Sequence, residues 1–327
     1  VPHALGRLNF KSKIKKNTIM PKMTIIKSIR VMRSAQEVFP LVHDFHNWIH
    51  WSPWHILDDA NNYKVKDDGT FYEWESKLLG AGQMQRLNVV PNQIVESDLV
   101  FLKPWKSKSK IIFRVKELAQ NECEVTWEMH GNMPFFMFFL VKMMERMVGM
   151  DFDRGLHLLK DFAEHGSNRC HLRIMGQESI ASQNYIGISV KCTFDELGDK
   201  NKAGFEELMG FVRAENMELT GPPATIYKAF NFRKNQVEFT VAAPVSSKPA
   251  NLKPNMTYAA FQGGKCHGVE LKGPYHHLGT AWAAQSMRQR GKVFAGDKNR
   301  HAIEVYLNSP LDIPENELLT RIYLPMK

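Results

Sequence analysis

Residues 121–166 read NECEVTWEMHGNMPFFMFFLVKMMERMVGMDFDRGLHLLKDFAEHG. Two periods meet in this stretch. Cys123, Val125, Trp127 and Met129 alternate with Glu122, Glu124, Thr126 and Glu128, the pattern of a strand with one apolar and one charged face. Met143, Met147, Met150, Phe152, Leu156, Leu159 and Phe162 then recur at helical spacing, which predicts a helix from about Phe139 to Glu164, with Gly166 as its stop signal. A one-sided strand running into a long amphipathic helix buries its apolar face by lying under that helix.

Upstream, Thr24–Val31 reads as a strand. Ser34 with Glu37 three residues on forms a capping box for a short helix carrying Val38, Phe39, Val42 and Phe45. The aromatic run Trp48-Ile49-His50-Trp51-Ser52-Pro53-Trp54 follows. The period then changes to two, with Phe71, Glu73 and Glu75 alternating with Tyr72, Trp74 and Ser76, and turn signals at Gly80, Gly82, Pro91-Asn92 and Asn121. The class is therefore α+β, a curved antiparallel sheet gripping one long C-terminal helix, with room for a cavity between them.

That order, with Asn47-Trp48, Trp51-Ser52-Pro53-Trp54 and Asp151-Phe152-Asp153-Arg154-Gly155-Leu156 through Leu159-Lys160, resembles the SRPBCC superfamily. These are the START-like, helix-grip proteins often labelled polyketide cyclase/dehydrase or lipid transport. The resemblance spans residues 24–166 and implies a lipophilic small molecule held between helix and sheet. Candidate lining residues are Trp74, Trp127, Trp54, Phe139, Met143 and Met147. The run Phe135–Val141 reads as a lid or as the buried first turn of the helix.

Residues 167–183 read as a linker. Beyond it the chain repeats itself. Phe205 matches Trp282, Ile226-Tyr227 matches Ile303-Glu304, and Thr240 to Pro244 matches Arg321 to Pro325, with extra residues in the loop Asn308–Pro314. Each unit predicts strand, helix, strand, strand. The first covers about Tyr185–Thr193, Asn201–Glu215, Ala224–Asn231 and Gln236–Ala243. The second covers about Cys266–Gly273, His277–Arg290, Ala302–Leu307 and Leu318–Leu324. Phe205, Leu208, Met209 and Val212 give the first helix a firm stripe, whereas the second has only Leu278, Ala281 and Trp282.

Leu271–Tyr275, Ala302–Pro310 and Leu319–Pro325 resemble the GyrI-like effector-binding family over residues 184–327. The resemblance implies a groove between two pseudo-symmetric units. Such grooves bind aromatic or cationic small molecules, usually as the sensor of a transcription regulator. The candidate groove residues are Glu304, Tyr275, Trp282, Tyr323, Arg321 and Tyr227. Where the family commonly carries Glu before Ile322-Tyr323, this chain has Arg321, which weakens a groove for cations and favours anions. Glu304 keeps the acidic residue of the preceding strand. A carboxylate facing an aromatic groove is desolvated and suited to hold a cation or to act as an acid/base.

The chain has 327 residues, with 43% hydrophobic and 24% charged residues, an ordinary globular composition. No apolar run is long enough to cross a bilayer as a helix. The net charge of +9 sits almost wholly in residues 1–30, which hold Arg7, Lys11, Lys13, Lys15, Lys16, Lys22, Lys27 and Arg30 and no Asp or Glu. Residues 1–23 thus form a basic arm rather than a basic folded face. Cys123, Cys170, Cys192 and Cys266 form no C-x-x-C pair and read as free buried thiols of a cytoplasmic protein. His43, His46 and His50 would share a face on one continuous helix, but Trp48 and Pro53 interrupt it, so no metal site and no cofactor are expected. There is no phosphate loop, no nucleophile elbow, and no helix-turn-helix ahead of either domain, so direct nucleic-acid contact is not expected.

The resulting expectation is a two-domain binding protein for hydrophobic or aromatic small molecules, acting as a sensor or regulator. Two other readings compete. One is a hydrolase or cyclase using Glu304 as acid/base. The other is a lipid carrier meeting a membrane surface through the arm and residues 133–147.

Overall fold

A computed structural model describes residues 21–58, 62–104 and 106–327, so most of the basic arm lies outside the described residues. Lys22 and Met23, read as part of that arm, begin the first strand instead.

The first domain runs β1 (Lys22–Val31), α1 (Ala35–His43), two 3-10 turns (Phe45–His50 and His55–Leu57), then β2 (Asn62–Val65), β3 (Phe71–Ser76), β4 (Gly80–Val90), β5 (Ile94–Lys103), β6 (Ser107–Ala119) and β7 (Glu122–Asn132). A 3-10 turn (Phe135–Leu140) leads into α2 (Val141–His165). The seven strands form one antiparallel sheet, ordered β1-β7-β6-β5-β4-β3-β2. Ser34 and Glu37 form the capping box of α1. Gly166, at φ 74°, takes the left-handed conformation that ends α2.

The space between α2 and the sheet is filled by the protein's own rings. Trp127 is 1% exposed. It stacks on Phe152 of α2 with centroids 4.1 Å apart and meets Trp48, Trp51, Trp54 and Phe113 at 6.0, 5.7, 5.7 and 4.8 Å. The lipophilic cavity expected here is therefore occupied by indoles and phenyls. The helix comes this close because position 155 is glycine. A Cβ there would stand 2.7 Å from Trp127 and 3.0 Å from Pro53. Gly155→Ala is expected to cost about 1–3 kcal/mol by overpacking, read as a lower urea midpoint at unchanged slope.

His55 lies against Tyr63, ring centroids 4.5 Å apart, with its Nε2 3.1 Å from the Tyr72 hydroxyl. Burial pushes its pKa down to about 4. The folded state therefore keeps the ring neutral, while the unfolded chain takes up a proton below its ordinary value of about 6.5. Stability is fully present above that value and is lost as pH falls toward the folded pKa. Urea titrations at pH 7 and pH 4 should show the parent losing ~2–3 kcal/mol more than His55→Gln.

The second domain contains β8 (His171–Ile180), β9 (Gln183–Cys192), α3 (Leu197–Ala214), β10 (Ala224–Asn231), β11 (Gln236–Pro244), β12 (Met256–Phe261), β13 (Gly264–Lys272), a 3-10 turn (Tyr275–His277), α4 (Leu278–Arg290), β14 (Ala302–Tyr306) and β15 (Leu319–Pro325). Its sheet is ordered β12-β9-β11-β10-β14-β15-β13-β8. The units β9-α3-β10-β11 and β13-α4-β14-β15 are related across the central β10–β14 pair, where Thr225 faces Glu304 and Ile226 faces Ile303.

Where the sequence predicts a linker over 167–183, the structure has β8. This strand precedes the first unit but pairs with β13 of the second. β12, also absent from the repeat reading, precedes the second unit but pairs with β9 of the first. Each unit thus lends its leading strand to the other. In a flat sheet β8 and β9 would stand ~29 Å apart, far beyond the reach of the short link between them. The sheet must curl until its ends meet. At the meeting point a Cβ on Gly263 would lie 2.3 Å from the Ile180 carbonyl oxygen.

The weak apolar stripe of α4 has a packing reason. One side, with Ala281, Ala284 and Gln285, lies on β13 and β15. The other meets the first domain, where Gly279 approaches Arg154 of α2, Gly291 approaches Leu78, and Arg288 donates to the Leu57 carbonyl. A helix covered on two sides by small residues shows no one-sided periodicity. The same apolar core runs from the first domain into Leu271, Ala281, Ile322 and Leu324.

Candidate functional site

The two central strands present Thr225, Tyr227, Glu304 and Tyr306 on the face covered by α3 and α4. The pairing of Thr225 with Glu304 and the alternation along each strand put them there. Glu304 is 1% exposed. Its Oε2 accepts from Trp282 Nε1 of α4 at 2.6 Å, and its Oε1 accepts from the Tyr306 hydroxyl. That hydroxyl lies 3.1 Å from Thr225 Oγ1, which accepts from Asn201 Nδ2 of α3 at 2.8 Å. The network joins both helices through both central strands.

Aromatic rings enclose it. Tyr306 packs edge-on against Phe205 at 5.2 Å and Tyr275 at 5.5 Å. Trp282 packs edge-on against Tyr227 at 4.8 Å and Phe230 at 5.4 Å. Burial raises the Glu304 pKa, opposed by the two hydrogen bonds. Burial and the nearby carboxylate together push Tyr275 up to about 12. Among the described residues no Lys or Arg forms an ion pair with Glu304. Among the described residues the carboxylate is held by neutral donors alone, beneath the half-buried rings of Phe205, Tyr275, Trp282 and Tyr306. This arrangement offers a negative charge and π faces to a cation.

Of the six groove candidates, Glu304, Tyr275, Trp282 and Tyr227 come together. Arg321 and Tyr323 do not. Tyr323 pairs with Ile303 and Arg321 with Val305, so both project from the opposite face of the sheet. Arg321 Nε bonds Glu270 at 2.8 Å, and Tyr323 packs among Tyr185, Phe261 and Ile303. Arg321, on the opposite face, therefore does not oppose the charge of Glu304. The residues the sequence reading missed are Tyr306, Thr225 and Asn201. Strand alternation placed Tyr306 on the Glu304 face two residues on, and the repeat already matched Phe205 with Trp282.

In the first domain the six cavity candidates do not converge. Trp54 meets Trp127 within the core, while Trp74 stacks on Tyr72 at 5.5 Å and meets Phe101. Met143 and Met147 are half-buried on α2, and Phe139 is 55% exposed. His43, His46 and His50 also diverge. His46 bonds Asp44, His43 lies beside Arg86, and His50 stacks on Phe162.

Residues 22–164 match the family described as polyketide cyclase/dehydrase and lipid transport, and residues 177–327 match the GyrI-like small molecule binding domain. The chain joins one domain of each kind. Solved structures similar to part of it include protein CV1439 from Chromobacterium violaceum (14% identity, 43% of this chain and 98% of that one, TM-score 0.34). The C-terminal domain of EcmrR is similar at 14% identity, over 48% of this chain and 98% of that one, TM-score 0.39. SAV2435 bound to tetraphenylphosphonium is similar at 13% identity, over 48% of this chain and 94% of that one, TM-score 0.37. No curated protein matches the chain. Within residues 177–327 a buried charge, a polar network and aromatic rings converge at Glu304. No helix among the described residues is long and apolar enough to cross a membrane.

Proposed function

We propose that the GyrI-like domain binds a lipophilic organic cation, with Glu304 as its counter-charge, and works as a ligand sensor in a regulatory system. The carrying observation is a fully buried carboxylate whose hydrogen-bond donors among the described residues are Trp282 and Tyr306, both neutral. Burying an ionised group without an opposite charge is costly, and a cation beside the carboxylate offsets that cost. In the closed arrangement the aromatic side chains themselves cover the carboxylate. Binding therefore draws Trp282 and Tyr306 away from Glu304. Trp282 belongs to α4, which the first domain holds on its outer side, so movement there is transmitted to the junction. In this reading the polyketide-cyclase-like domain, its interior already filled, serves as the surface that registers the change. Cys123, Cys170, Cys192 and Cys266 are all buried free thiols, which fits a reducing cytoplasm.

The test uses two ions of one shape and opposite charge. Titration followed by tryptophan fluorescence and calorimetry should show saturable binding of tetraphenylphosphonium and none of tetraphenylborate. Equal binding of both would remove the counter-charge role, and binding of neither would remove the Glu304 cluster as a site for aryl ions.

A further inference from the structure

We propose that Asp161, His276 and His277 form a divalent transition-metal site at the junction of the two domains. Asp161 lies on α2, and the histidines end the 3-10 turn that precedes α4. His276 Nε2 and His277 Nε2 stand 3.2 and 3.0 Å from one atom, Asp161 Oδ2. The candidate ligand atoms of the three residues all lie within 4.8 Å of one another. In a tetrahedral zinc site with bonds of about 2.0–2.1 Å, neighbouring ligand atoms are ~3.3 Å apart. The two nitrogen–oxygen separations are within a few tenths of an ångström of that spacing.

Two imidazoles and one carboxylate are ligands of the type zinc and its neighbours accept. The burial is graded. The side chains of His277 and Asp161 are 0% and 4% exposed, while that of His276 is 33% exposed. The exposed side gives an ion a way in and leaves a fourth position for water. A further imidazole, His157 of α2, stacks on His276 with centroids 5.1 Å apart. A metal here fastens α2 to the turn from which α4 starts. It also fixes Tyr275, the residue before His276, against the Tyr306 ring. The site stands independently of the cation-binding reading.

The full chain, stripped of metal with a chelator and dialysed, is titrated with Zn2+ against a chromophoric chelator and with Co2+ by visible absorption. One equivalent should bind per chain, with Co2+ giving the intense bands of four-coordinate geometry. Asp161→Asn and His276→Gln should each weaken Zn2+ at least ~10-fold, the cost of losing even an outer partner of a metal. His276 is partly exposed, so its variant tests the site where the Asp161 variant loses stability, and far-UV circular dichroism checks both folds. His46→Gln, outside the cluster and paired with Asp44, should bind like the parent. The proposal is overturned if the parent binds no stoichiometric metal, if folded His276→Gln binds as tightly as the parent, or if His46→Gln loses as much affinity.

Discussion

Glu304→Gln binds a lipophilic aryl cation about 100-fold more weakly than the parent, a loss of ~2.7 kcal/mol at 25 °C. The size follows from the site. Removing one partner of a buried charge pair costs about 2–5 kcal/mol, and among the described residues no second carboxylate contributes to the network Asn201–Thr225–Tyr306–Glu304–Trp282. Glutamine keeps the shape and still accepts from one donor, so the fold is retained. Stability responds in the opposite sense to binding. Because burial raises the Glu304 pKa, its contribution is fully present below the unfolded value of about 4.3 and is lost as pH rises through the folded value. The melting temperature of the Gln variant should therefore gain on the parent between pH 4 and pH 8. Calorimetric titration with the cation, together with melting curves at the two pH values, checks both halves. An affinity that stays within threefold of the parent removes Glu304 as the counter-charge. The same variant bears on the hydrolase or cyclase reading, which requires that turnover disappear while ligand binding persists.

Trp127→Ala lowers stability by about 3–5 kcal/mol, at the top of the range for a single buried aromatic. The indole is the hub on which Phe152 of α2 meets Trp48, Trp51, Trp54 and Phe113, and those rings cannot all collapse into the vacated volume. Trp127→Phe loses much less, ~1–2 kcal/mol. Trp127 Nε1 is buried and has no hydrogen-bond partner among the described residues, so phenylalanine removes an unsatisfied donor along with the lost contacts. Urea denaturation of the three proteins gives the ordering. The Ala variant also contains the apolar hollow that the parent fills, and an apolar hollow of that size takes up small aromatics. Free indole should raise the variant's melting temperature and leave the parent unchanged. A cost under 1 kcal/mol for Ala would mean the aromatic hub is not what holds α2 to the sheet.

The two opposite outcomes for indole residues show where local reading ends. Trp127 and Trp282 both read as candidate ligand walls, the first from the alternation of its strand and the second from the groove that the family resemblance implies. Periodicity says that a face is buried and does not say against what. For Trp127 the answer is Phe152 and three more indoles. For Trp282 it is a carboxylate. The same limit explains Arg321 and Tyr323. Their strand and its neighbours were legible, yet membership of the groove depended on the register between β14 and β15. A shift of one residue exchanges the faces.

What the sequence by itself determined is local and periodic. It holds the capping box at Ser34, the alternation of β7, the stripe and glycine stop of α2, the order of elements in the first domain and within each repeat unit, and the internal repeat that makes Glu304 and Tyr227 counterparts. These features follow from side-chain spacing along a few consecutive residues, where backbone geometry leaves little choice. Tertiary structure alone decided which strands exchange partners between the repeats, that the space under α2 is closed, that α4 is wedged between two domains, and that Asp161 meets two histidines far along the chain. The reason is physical. Such contacts depend on register and on which surfaces are brought together by closing long loops, and neither leaves a period in the residues that make them.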